Sequence, residues 1–111
     1  MTEFQSRVYA ALCKVPAGQV ISYGQLAHAV GCGSAQAVGQ ALLRNPDAPR
    51  IPCHRVVNAQ GELGGYFGKL NSDEKRALLH AEGINLNADG TRLCPPIPWF
   101  NSASEKGLLP E

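Results

Sequence analysis

The chain has 111 residues, 44% of them hydrophobic and 17% charged, with ten Lys and Arg against nine Asp and Glu for a formal net charge of +1. This balance fits one domain with a real hydrophobic core and excludes a disordered chain or a coiled coil. No run approaches the roughly 18 apolar residues of a membrane span, and the N-terminus lacks the basic-then-apolar layout of a secretory signal, so a cytoplasmic protein is expected. The charge is uneven: residues 4–61 set Arg7, Lys14, Arg44, Arg50 and Arg55 against Asp47 alone, and residues 62–111 hold five basic and seven acidic residues. A basic first half permits contact with DNA without demanding it.

In chain order, Thr2-Glu3-Phe4-Gln5 reads as a capping box, followed by Phe4, Val8 and Leu12 at helical spacing with Tyr9 beside them. Pro16-Ala17-Gly18 stops that helix, and Val20-Ile21 predicts a brief strand. Ser22-Tyr23-Gly24-Gln25 is a second capping box, opening a two-turn helix that ends at Gly31. After the tight turn Gly31-Cys32-Gly33, a third helix starts near Ser34 and stops at Asn45-Pro46, because the residue before proline is driven out of helical backbone angles. Two short helices across a glycine turn fit a helix-turn-helix, although packed helical hairpins share the pattern. The small residues Ser34, Ala35, Ala37, Gly39 and Ala41 let the third helix approach another helix or a DNA groove closely.

Pro46, Pro49 and Pro52 stiffen the next loop. Asn58-Ala59-Gln60-Gly61 and Gly64-Gly65-Tyr66 are turns. Asn71-Ser72-Asp73-Glu74 starts a last helix with Ala77, Leu78, Leu79 and Ala81 as its expected core face. Residues 84–111 read as a loose tail, partly pinned by Trp99 and Phe100. The expected architecture is a single mainly α domain over 1–111: a winged-helix-like helix-turn-helix with a few very short strands.

Cys13, Cys32, Cys53 and Cys94 are irregularly spaced, without a Cys-x-x-Cys pair or matching His spacing, so free thiols are expected and a metal site is not. Cys53 follows Pro52 and precedes His54 and Arg55. Thiolate is the reactive form of cysteine, and an adjacent imidazole or positive charge raises its population. For an isolated Cys-His dipeptide, a cysteine merely buried in a short strand, with His54 facing away, is the commoner arrangement.

The wider context bears on that choice. Ser22-Tyr23-Gly24-Gln25-Leu26-Ala27, Ala37-Val38-Gly39-Gln40-Ala41, Arg44-Asn45-Pro46 and Ile51-Pro52-Cys53-His54-Arg55-Val56-Val57 resemble the DNA-binding and active-site block of the O6-alkylguanine-DNA alkyltransferases. Gly64-Gly65-Tyr66 and Leu78-Leu79-His80-Ala81-Glu82-Gly83 continue the resemblance in order, over roughly residues 4–86. The resemblance implies that Cys53 accepts the alkyl group, that His54 takes the thiol proton through a water, and that Glu82 orients His54. It makes Asn45 a hinge and Tyr23 the residue that helps rotate the nucleotide out. Contacts to DNA fall on Tyr23, Ser34, Ala35, Gln36, Ala37, Gly39, Arg44 and Arg55. Tyr66, Pro52, Val56 and Phe67 are expected at the base pocket. A flipped base is required because the O6 substituent is out of reach inside the duplex. The resemblance further implies a monomer acting on double-stranded DNA containing alkylated guanine, with no cofactor, each molecule acting once.

Two departures stand out. Gln36 occupies the place of an arginine that fills the gap left by the flipped base. The chain also starts directly at the helix before the DNA-binding block. That compact form, with Trp99 near its C-terminus, is similar to the alkyltransferase-like proteins, which bind alkylated DNA without a cysteine at the acceptor position. A non-enzymatic lesion-binding protein is therefore the alternative expectation.

Overall fold

The computed structural model describes residues 2–67, 69, 70 and 72–100. Thr2 opens α1 (Glu3–Leu12): its hydroxyl accepts the Gln5 N–H, and the Gln5 side chain accepts the Thr2 N–H, satisfying donors that a helix start otherwise orphans. Val8 and Leu12 are fully buried, as their spacing predicts, while Phe4 is half-buried against the same cluster. Burying one such aliphatic side chain is worth about 1.5–3 kcal/mol. Ser22 and Gln25 repeat the capping box for α2 (Tyr23–Ala29). Gly31, at φ 74°, closes that helix, with its N–H reaching the His28 carbonyl and the Cys32 N–H reaching that of Ala27. A side chain at this left-handed position is strained, which is why glycine ends the helix here. Ser34 then caps α3 (Ala35–Leu43) through the Ala37 N–H. The Tyr9 hydroxyl donates to the Ala41 carbonyl at 2.6 Å and locks α1 onto α3.

Short strands position the rest. β1 (Ile21–Ser22) pairs in parallel with β2 (Val56–Val57), Ile21 opposite Val56 and Ser22 opposite Val57. Parallel neighbours need a long crossover, and α2, α3 and the proline loop supply it. The pairing sets the start of α2 beside the turn that leads into β2. β3 (Gly65–Tyr66) and β4 (Lys69–Leu70) form an antiparallel hairpin, and α4 (Asp73–Ala81) follows, capped by Ser72. Asn71 lies outside the described residues. The mainly α, winged-helix-like reading holds.

Two details of the sequence reading do not. The buried face of α4 is Lys75 and Leu79, with Leu78 half-buried and Ala77 and Ala81 exposed. The apolar pattern hid a lysine whose ammonium has found partners inside. The stretch 84–100 is also no loose tail: Ile84 and Leu93 enter a second core with Val20, Val57, Leu63 and Leu79, and Phe100 enters the first. Backbone bonds from Leu93 to Gly61, from Val20 to Pro98 and from Phe100 to Val20 tie it down. Prolines remove donors and fix angles, so they leave a segment aperiodic without leaving it unpacked. Residues 101–111 lie outside the described residues.

Candidate active site and nucleic-acid interface

Pro52 leads into one 3-10 turn, Cys53–Arg55, in which the Arg55 N–H reaches the Pro52 carbonyl at 2.9 Å and the Cys53 N–H that of Ile51 at 2.8 Å. The turn holds Cys53 at 5% exposure, against a cavity of about 370 Å³. Asn45, just past α3, donates to the Ile51 carbonyl at 2.8 Å and accepts the Asp47 N–H at 2.9 Å. It thereby pins the loop that carries Cys53 to the end of α3.

His54 is 1% exposed, and its Nε2 lies 2.7 Å from Glu82 Oε2. That contact makes Nε2 the protonated nitrogen, leaving Nδ1 with a free lone pair. Nδ1 is buried with no hydrogen-bond partner among the described residues. Glu82 also takes bonds from Arg55 Nε and Nη2, while Arg55 Nη1 donates to the Val15 carbonyl at 2.7 Å. One carboxylate thus faces an imidazole and a guanidinium.

The electrostatics follow from burial. Desolvation pushes the Cys53 thiol up, offset in part by the Asn45 amide and the Lys75 charge, which favour the thiolate. Desolvation lowers the His54 pKa, with Glu82 opposing, so the ring is neutral near pH 7. Burial raises Glu82, but the Arg55 and His54 hydrogen bonds outweigh it and hold the carboxyl below the usual range. Near neutral pH the thiol is therefore protonated and the imidazole of the next residue neutral.

Lys75 went unnoticed in the sequence because a lysine on a helix normally sits in water. Here it is 0% exposed, with Nζ donating to the carbonyls of Val56 at 2.7 Å, Leu63 at 2.5 Å and Gly65 at 3.1 Å. Desolvation lowers its pKa to about 8, with the Cys53 charge opposing. It joins β2, Leu63 and β3, the strand whose Gly65 and Tyr66 line the cavity. Lys75→Met fills similar space but takes the ammonium donor from three carbonyls, of which Gly65 keeps only the longer Tyr23 contact. A loss of roughly 3 kcal/mol in urea unfolding is expected; a loss under about 1 kcal/mol would mean that the carbonyls find other donors.

The cavity is lined by Tyr23, Ala35, Gln36, Gly39, Gln40, Leu42, Leu43, Cys53, Gly65, Tyr66 and Phe67. Of the residues expected at DNA or base, it gathers Tyr23, Ala35, Gln36, Gly39, Tyr66 and Phe67 around Cys53. The Tyr23 hydroxyl reaches toward the Gly65 carbonyl at 3.4 Å, close against Gly64. The others are placed differently. Ser34 caps α3, Ala37 is half-buried, and Arg44 is exposed at the helix end, outside the lining. Pro52 and Val56 are buried and do not line the cavity: Pro52 serves the turn, and Val56 faces Ile21. Arg55 gives its guanidinium to Glu82 and the Val15 carbonyl and lies outside the cavity lining. Gln40 and Leu43 were missed, although they continue the Gln36 and Gly39 stripe at three- and four-residue spacing. No cluster of three metal-ligating side chains occurs among the described residues.

The fold and site together define a helix-turn-helix protein whose recognition-type helix borders a buried cysteine with its own imidazole and carboxylate. A family model described as the DNA-binding domain of 6-O-methylguanine DNA methyltransferase matches residues 3–84, and the chain belongs to this family. The methylated-DNA–protein-cysteine methyltransferase of Mycobacterium bovis is 48% identical over 91 residues, covering 81% of this chain and 54% of that protein. That of Methanosarcina mazei is 46% identical over 86 residues, 77% of this chain and 53% of the other. The chain spans about half the length of the curated relatives it matches. Among solved structures, Mycobacterium tuberculosis OGT in complex with DNA is similar at TM-score 0.69 and 49% identity, over 75% of this chain and 50% of that one. S. pombe Atl1 in complex with damaged DNA containing O6-carboxymethylguanine is similar at TM-score 0.78 and 30% identity, over 91% and 97%.

Proposed function

We propose that this protein repairs alkylated DNA as a single-use acceptor, moving an alkyl group from O6-alkylguanine in a duplex onto Cys53. The observation that carries the reading is a buried Cys53 at a cavity bordered by α3, followed directly by His54, whose Nε2 Glu82 holds and whose buried Nδ1 has no partner among the described residues. His54 takes the thiol proton through a water, and Glu82 stabilises the imidazolium that forms. The thiolate attacks the alkyl carbon. A sulfur–carbon bond forms, the carbon–O6 bond breaks, and its electron pair stays with guanine, which takes up a proton. The thioether has no leaving group to release it, so each molecule acts once, with no cofactor.

Tyr23 and α3 face the DNA, the base is extruded into the cavity against Tyr66, and Asn45 holds the loop at a fixed distance from α3. The protein acts as a monomer on double-stranded DNA. Its site of action is the cytoplasm. Incubation with an O6-methylguanine duplex followed by intact-mass analysis tests the reading: one methyl is gained per protein. An unmodified protein that nevertheless binds that duplex would leave lesion recognition without transfer, the reading favoured by the near full-length likeness to Atl1.

Gln36 stands exposed at the cavity rim, one turn from Gln40. It fills the gap left by the flipped base with a shorter, uncharged group than arginine. Gln36→Arg is expected to tighten DNA binding by about 1 kcal/mol and to steepen its salt dependence by roughly one phosphate contact, read by fluorescence anisotropy across salt concentrations. An unchanged salt slope would place position 36 away from the phosphates.

A further inference from the structure

We propose that Gln40 reads the base left unpaired opposite the lesion and accepts cytosine and thymine there alike; this rests on the reading that the alkylated base is extruded into the Cys53 cavity. Gln36 and Gln40 lie one turn apart on α3, both exposed and both on the cavity lining. Neither amide has a hydrogen-bond partner among the described residues. At about 3.6 residues per turn a helix advances about 100° per residue. Seen down the axis of α3, the lining residues therefore fall in the order Leu42, Ala35, Gly39, Leu43, Gln36, Gln40. Leu42 is buried and Gly39 half-buried, so the deep side of the cavity lies at that end, and Gln40 stands at the other, beyond Gln36.

Gly39 marks the way in. A Cβ there would meet no atom within 4 Å, so packing does not require glycine, and glycine inside a helix weakens it relative to alanine. What it provides is open space on the cavity side of Gln36. The extruded guanine passes on that side, Gln36 stands in the gap it leaves, and the base of the opposite strand meets Gln40. Alkylation at O6 takes the N1 proton from guanine, so the lesion stands opposite cytosine where it forms and opposite thymine once it has been copied. Cytosine offers its N4–H donor beside the N3 acceptor, and thymine its N3–H donor beside the O4 acceptor. A side-chain amide carries one acceptor and a donor side by side and matches either base by turning over about its last torsion. A guanidinium only donates.

The test is made in a Cys53→Ser background, so that binding is read without transfer. Three duplexes differ only opposite O6-methylguanine, where they carry cytosine, thymine or an abasic sugar. With Gln40 in place, the cytosine and thymine duplexes should bind within about threefold of each other, because the amide satisfies both. Gln40→Met keeps the length of the side chain and suits a helix, but has neither the donor nor the amide acceptor. It should weaken both of those duplexes by about tenfold, the usual scale of a bidentate base contact. The abasic duplex should lose less than about twofold, since no base is there to couple to the amide. A 2-aminopurine placed beside the lesion brightens when the stack opens and reports extrusion by itself. Without brightening, the extrusion reading falls and the proposal with it. With brightening, a Gln40→Met loss as large on the abasic duplex as on the others, or no loss on any, overturns the proposal alone; so does a preference for one orphaned base beyond about threefold while Gln40 is in place.

Discussion

Cys53→Ser is expected to abolish methyl uptake while lesion binding stays within about threefold of wild type. Serine occupies no more space than cysteine, so the 3-10 turn and the cavity wall persist. Its hydroxyl, however, holds its proton far more tightly than a thiol, and a neutral imidazole such as His54 produces too little alkoxide to attack a carbon. The effect is all or none because the remaining cysteines lack the surroundings. Cys13 is exposed, and Cys32 and Cys94 are half-buried. None has a buried imidazole–carboxylate pair at its side. The measurement is peptide mass mapping after incubation with an O6-methylguanine duplex. A methyl group on another cysteine, or on the variant protein at the wild-type rate, would remove Cys53 from the reaction.

The second large effect belongs to the His54–Glu82 pair. His54→Ala should slow transfer by roughly 10²- to 10⁴-fold, the usual contribution of a positioned general base. Glu82→Gln should approach it, and the double variant should be little slower than the worse single one, because the two groups act as a unit. The pH profile adds a readout that a structural role would not move. Burial lowers the His54 pKa, so the base stays neutral, and transfer flat, below the imidazole's ordinary value of about 6.5; the acid limb appears only lower and vanishes in His54→Ala. Stability has a related sign. Between the folded and unfolded pKa values of His54 the unfolded chain binds more protons, so this contribution is present above about pH 6.5 and lost as pH falls below it. Glu82, held low, adds stability that is lost further down, below the ordinary carboxylate value. A rate in His54→Ala equal to wild type, with the protein folded, would mean that another group takes the proton.

Much of this was legible because it is local. Thr2 with Gln5 and Ser22 with Gln25 form capping boxes that need no tertiary knowledge, and Gly31 marks its helix end by backbone conformation alone. The proposed trio of Cys53, His54 and Glu82 was legible only through resemblance, since nothing local says that Glu82 meets His54. The misses are tertiary. Lys75 reads as solvated until three carbonyls surround it. Arg55 gives no sign in the sequence that Glu82 and Val15 hold its guanidinium. Residues 84–100 lack periodicity because they cross the second core as single bridges, Glu62 with Arg92 and Leu86 with Leu93, and not as a helix or long strand. Phe67, at φ 52°, gives no sign in the sequence of its backbone angle.

The clasp of Glu82 with His54, Arg55 and, through Arg55, Val15 joins three stretches far apart in the chain. It has a consequence for synthesis. A nascent chain grows from its N-terminus, and contacts of long sequence separation form only once both partners have emerged. Until α4 and Glu82 leave the ribosome, His54 has no carboxylate to orient its ring, and the Arg55 guanidinium has no counter-charge for burial. The recognition helix can therefore form on the ribosome well before the reactive centre does. Chains cut short ahead of Glu82 should retain helical signal in circular dichroism yet be unable to take up a methyl group, so alkyl acceptance becomes a property only of chains synthesised past that residue.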